Sequence, residues 1–136
     1  MPRGALAAVL VVVLLVLALA PSANAQQCPP PAMQSGSRVA GGWHVNPDTT
    51  KATELVQAAW DSALTSCAEL SSSASSGTFD SSQLQICELR QQVVAGMNYQ
   101  VTFVYGGSTY TMTLFQPLPH TNQPLQLTSC SADATS

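Results

Sequence analysis

The chain has 136 residues, of which only 8% are charged, with four basic residues against seven acidic ones. Tight nucleic-acid binding rests on many Lys and Arg contacts to phosphate, and that balance excludes it. None of the four cysteines (Cys28, Cys67, Cys87, Cys130) forms a C-x-x-C pair and only His44 and His120 stand beside them, so neither a metal site nor a cofactor is expected.

The amino terminus carries Arg3, an apolar run over residues 5–20, and then Ala23-Asn24-Ala25. A positive start, a short apolar stretch and an A-x-A site make a secretory signal peptide over residues 1–25. Sixteen apolar residues fall short of the roughly 20 that a spanning helix needs. No membrane association is therefore expected after cleavage, and the protein should be secreted or held in a secretory or vacuolar compartment. The mean hydropathy of +0.16 owes much to this segment. Residues 26–136 keep three basic groups against seven acidic ones, a formal charge of −4, and suit one domain. In an oxidising compartment four cysteines read as disulfides, and they allow three connectivities.

Residues 26–38 are rich in Pro, Gln, Ser and Gly and predict an extended arm. Val39-Ala40 leads to Gly41-Gly42. A helix is predicted from Thr49 to Cys67, with Asp48 as N-cap. Ala52, Val56, Ala59, Trp60, Ala63 and Leu64 recur at steps of three and four and make one apolar stripe. The Ser-rich stretch 71–82 predicts a surface loop.

Strands follow. Residues 84–94 form one run, and Tyr99, Val101, Phe103 and Tyr105 alternate with smaller or more polar neighbours. Gly106-Gly107 is a two-residue hairpin turn. With that turn Tyr105 opposes Ser108, Phe103 opposes Tyr110, Val101 opposes Met112 and Tyr99 opposes Leu114, which places the large apolar groups on one face. A last short strand carries Leu125 and Leu127. A helix with one apolar stripe and a sheet with one apolar face solve each other's burial problem. The expected fold class is α+β, one helix across a four- to five-stranded antiparallel sheet, spanning residues 39–130 with a tail over 131–136.

Three separated segments carry a resemblance. Gln92-Val93-Val94-Ala95-Gly96, followed by Asn98-Tyr99, resembles the Q-x-V-x-G hairpin of cystatins in its plant-like form. Gly41-Gly42 lies before the helix, where that family has its amino-terminal glycines. Residues 115–120, containing Leu118-Pro119-His120, resemble the second hairpin of the stefin branch. Each segment is weak alone, but all three stand in family order over roughly residues 39–129.

The resemblance implies a monomeric inhibitor of papain-like cysteine peptidases that is not an enzyme. Its trunk (Val39, Ala40, Gly41, Gly42), first hairpin (Gln92, Val93, Val94, Ala95, Gly96) and second loop (Leu118, Pro119, His120) would enter the peptidase cleft as a wedge. Met in isolation, Gly96 would read as a turn glycine and Gly41-Gly42 as a linker. Apolar residues at a hairpin tip, where polar ones are usual, favour the wedge. Gln92 is expected to brace the first hairpin and Pro119 to stiffen the second loop. Trp60 and the tyrosines are expected in the core, and Trp43 either at the base of the trunk or against the enzyme. In the cystatin arrangement one loop joins the helix end to the second strand, which suggests Cys67–Cys87, with Cys28–Cys130 as the second pair. The stefins it resembles have neither signal peptide nor disulfides, whereas this chain has the residues for both. The alternative is a secreted cystatin-fold binding or structural module without inhibitory activity.

Overall fold

The computed structural model describes residues 28–29, 40–74 and 76–133. The expected signal peptide, Val39, residues 134–136 and the arm, apart from Cys28 and Pro29, lie outside the described residues.

The described chain is α+β. A short strand β1 (His44–Asn46) is followed by three helices, α1 (Thr49–Ala58), α2 (Trp60–Ser66) and α3 (Ala68–Ser73). Four strands follow: β2 (Leu84–Val94), β3 (Gly96–Tyr105), β4 (Ser108–Gln116) and β5 (Gln126–Ala132). They form one sheet in the order β1-β2-β3-β4-β5, antiparallel throughout.

Asp48 caps α1, its carboxylate accepting from the Lys51 N–H at 2.9 Å, while the Asn46 side chain accepts from the Asp48 N–H at 2.9 Å. The predicted helix ends within a residue of its expected limit. Its ladder passes through a loosened turn at Ala59, whose N–H still reaches the Leu55 carbonyl, and stops at Cys67, which is extended at φ −109° and ψ 99°. Ala52, Leu55, Val56, Ala59, Trp60 and Ala63 are buried against Leu89, Val101, Phe103, Tyr105, Tyr110, Met112 and Leu114 of the sheet. The β3–β4 register has the four predicted pairings, and Gly106 and Gly107 take φ of 57° and 87° in the turn.

The Ser-rich stretch is more ordered than its composition suggests. Residues 71–73 complete α3 rather than starting a loop, because Leu70 is fully buried. Core aromatics then hold the segment by their polar ends. The Trp60 Nε1–H donates to the Gly77 carbonyl at 3.2 Å, and the Tyr105 hydroxyl accepts from the Asp80 N–H at 3.2 Å. The Tyr110 hydroxyl donates to the Glu69 carbonyl at 3.1 Å. Each buried ring thus satisfies its one polar atom on the backbone of α3 or of the loop that follows it.

The disulfides are Cys28–Cys87 and Cys67–Cys130, with Cα separations of 5.3 and 5.7 Å, and not the expected Cys67–Cys87 and Cys28–Cys130. The reason is the path of the helices. α1 lies against β2, but α2 lies against β5 at the far side of the sheet. The helix end at Cys67 is therefore delivered to Cys130 on β5, not to the strand that follows it in sequence. Cys87 falls where the β2–β3 register shifts between Ile86 and Glu88, and there it meets Cys28.

Candidate inhibitory edge

In an antiparallel sheet of this order, β1 begins, β2 ends, β3 begins, β4 ends and β5 begins at the same end. The topology therefore brings the trunk glycines, the β2–β3 hairpin and the β4–β5 loop together along one edge. Two contacts join them.

The first joins trunk to hairpin. Gly41 takes φ +80°, a turn that favours glycine, and its carbonyl accepts from Gln92 Nε2 at 2.8 Å. The Gln92 Oε1 accepts in turn from Asn98 Nδ2 at 3.1 Å, across the hairpin. Gln92 thus braces its hairpin as expected and also holds the trunk. Next to it, Gln91 Oε1 accepts from Asn46 Nδ2 at 2.8 Å, so adjacent glutamines hold both ends of residues 41–46.

The second contact joins the hairpin to the end of β4, the strand that leads into the second loop. Gly96 takes φ +132°, as the tight turn requires, and it packs against β4 so closely that a Cβ would lie 2.5 Å from the Gln116 carbonyl and 2.8 Å from the Phe115 ring. Backbone strain and overpacking each cost about 1–3 kcal/mol. Gly96→Ala should therefore lower stability by about 2–3 kcal/mol, seen as a lower urea midpoint at unchanged slope. An unchanged midpoint would show that β4 yields without cost.

The tips are apolar and open to solvent. Val93 is 60% exposed, Val94 41% and Leu118 40%, and Ala40, Ala95, Pro119 and His120 are exposed as well. Gly42 and Trp43 are half-buried. The second loop is stiffened from within: Pro119 opens a single 3₁₀ turn, and the Thr121 hydroxyl and N–H both donate to the Leu118 carbonyl, at 2.7 and 3.0 Å. Asn122 closes it in the left-handed region at φ 52°. Among the described residues no group of three or more His, Cys, Asp or Glu is placed to hold a metal ion.

All the expected site residues except Val39, which lies outside the described residues, fall on this edge. The motif alone assigns Asn98 no role. Its place opposite Gln92 follows once the hairpin turns at Ala95.

A sheet of this topology crossed by a helix, with this edge, defines a class of protein. The cystatin domain family model matches residues 44–136, and the chain belongs to the cystatin family. It is similar to Cystatin-A1 of Sus scrofa, 37% identical over 54 residues, which cover 39% of this chain and 52% of that protein. It is also similar to Leukocyte cysteine proteinase inhibitor 1 and to Cystatin-A8, both of Sus scrofa. Each is 45% identical over 47 residues, covering 34% of this chain and 46% of the relative. The chain spans about half the length of the curated relatives it matches.

Proposed function

We propose that the chain is a reversible, competitive inhibitor of papain-type cysteine endopeptidases, and that it catalyses nothing. The observation that carries this reading is the edge itself: segments far apart in sequence bring the exposed Val93, Val94 and Leu118 to one end of the sheet, beside a glycine-jointed trunk. Isolated exposed apolar residues need no explanation, but a row of them on stiffened loops is suited to docking. Loops already held by Gln92, Gly96 and Thr121 lose little entropy when they bind. The name of the similar Sus scrofa protein, a cysteine proteinase inhibitor, supports the same target class.

A monomer suffices, because one chain supplies all three segments. A leader cleaved after Ala25, and a secreted or vacuolar destination, fit the apolar amino-terminal run and the two disulfides, which persist in oxidising compartments.

Active-site titration of papain with residues 26–136 tests the proposal. Competitive inhibition with the inhibitor recovered uncleaved is expected. No inhibition at micromolar protein would leave a binding module without inhibitory activity, and slow turnover of the chain would make it a substrate.

A further inference from the structure

We propose that Asn98 is a positioning residue for the trunk: acting through Gln92, it fixes the amide orientation that clasps Gly41, so that trunk and first hairpin meet a peptidase as one preassembled unit. The inference rests on the inhibitory reading above for its effect on binding, though not for its structural content.

The argument follows from donor and acceptor types. A backbone carbonyl only accepts, so the Gln92 side chain must turn Nε2 toward the Gly41 oxygen, 2.8 Å away. That leaves Oε1 facing the opposite strand, where it needs a donor. Asn98, paired with Gln92 across the β2–β3 ladder, supplies Nδ2 at 3.1 Å. The chain of bonds has one polarity, from Asn98 through Gln92 to Gly41, and each end sets the other. Val93 and Val94, next along β2 from Gln92, make no part of it. Orientation of the trunk is thereby separated from contact at the hairpin tip.

β1 explains why a clasp is needed. It has only three residues, and its ladder pairs His44 with Gln91 and ends there. Continued in that register, Gly41 would face Val94, but the φ of +80° at Gly41 turns the backbone out of the strand. The Gln92 amide bonds the carbonyl at this turn, beyond the last ladder pair. Neighbouring Gln91 has a different task, bonding Asn46 at the other end of β1.

Two isosteric changes test this. Gln92→Glu leaves an acceptor for Asn98 Nδ2 but sets an oxygen against the Gly41 carbonyl. Asn98→Asp removes the donor, so the Gln92 amide rotates to donate Nε2 to the new carboxylate and turns Oε1 toward Gly41. In both variants backbone ¹⁵N relaxation should show Gly41 and Gly42 more mobile than in the parent, with Val93, Val94 and Ala95 and the melting temperature unchanged. Inhibition of papain should weaken by about five- to tenfold in each, the size of one neutral hydrogen bond. If Asn98→Asp leaves Gly41 as ordered as in the parent, or mobilises the hairpin tip equally, the positioning role is overturned. Should the parent chain not inhibit papain, the inhibitory reading fails, while the relaxation measurement still decides for or against the clasp.

Discussion

Val94→Asp should weaken inhibition of papain by about a thousandfold, and Leu118→Asp by only about tenfold. Burying a valine side chain is worth about 1.5–3 kcal/mol, and an unpaired carboxylate in a water-excluded cleft adds a desolvation cost of similar size. Together these come to about 4 kcal/mol, or three powers of ten in affinity. Val94 and Leu118 are equally exposed in the free protein, at 41% and 40%, so exposure does not rank them. Position does. In the sheet order β1-β2-β3-β4-β5 the β2–β3 hairpin stands between the trunk and the β4–β5 loop. The middle of an interface is its driest part, and truncations there cost most. An aspartate at Leu118, on the flank, can turn its charge to water. Inhibition constants for the two variants, each with an unchanged melting curve, decide the ranking; a larger loss at Leu118 would reverse it.

The double variant Cys67→Ala, Cys130→Ala should lose about 4 kcal/mol of stability. Cross-linking residues 63 apart restricts the unfolded chain by about that much in the chain-entropy model. Cys67 is 1% exposed and packed in the core, so its alanine also leaves unfilled space under the helix end. Denaturant unfolding of the oxidised protein and the variant measures the loss. Non-reducing peptide mapping checks the premise, with Cys28 expected on Cys87 and Cys67 on Cys130. A Cys67–Cys87 peptide would remove it.

Both disulfides show where the sequence stops being informative. Elements whose partner lies nearby in the chain were readable: the helix from the spacing of Ala52, Val56 and Ala63, and the β3–β4 register from Gly106-Gly107 and a period of two. Which strand lies under the helix end depends on how the helix crosses the sheet, a tertiary quantity that no local pattern encodes, and so Cys67 was matched to the wrong strand. The β2 run hid a second feature. Its core-side residues Leu84, Ile86 and Leu89 break the period of two at Cys87, the only trace in the sequence of the register shift there. The order of α3 was unreadable because its anchors, Leu70 and the Tyr110 hydroxyl, which bonds the Glu69 carbonyl and the Ser73 hydroxyl, lie outside the run of serines.

The candidate edge was legible as three motifs but not as one object. Gly96 read as a turn glycine, and its second task, letting β4 lie against it, depends on a strand twenty residues away by sequence. Gln92 read as a brace within its hairpin. Its bond to Gly41 appears only when β1 is paired with β2.

The disulfide pairing has a topological consequence. Along the chain the bridged cysteines alternate, 28, 67, 87, 130, with the first joined to the third and the second to the fourth. The two covalent rings are interlaced rather than nested. Cut the backbone once between Cys28 and Cys67 and once between Cys87 and Cys130, and the middle piece stays bonded to both outer ones. In the nested pairing the same two cuts would set the middle free. One nick in each of those two segments therefore leaves a single molecule.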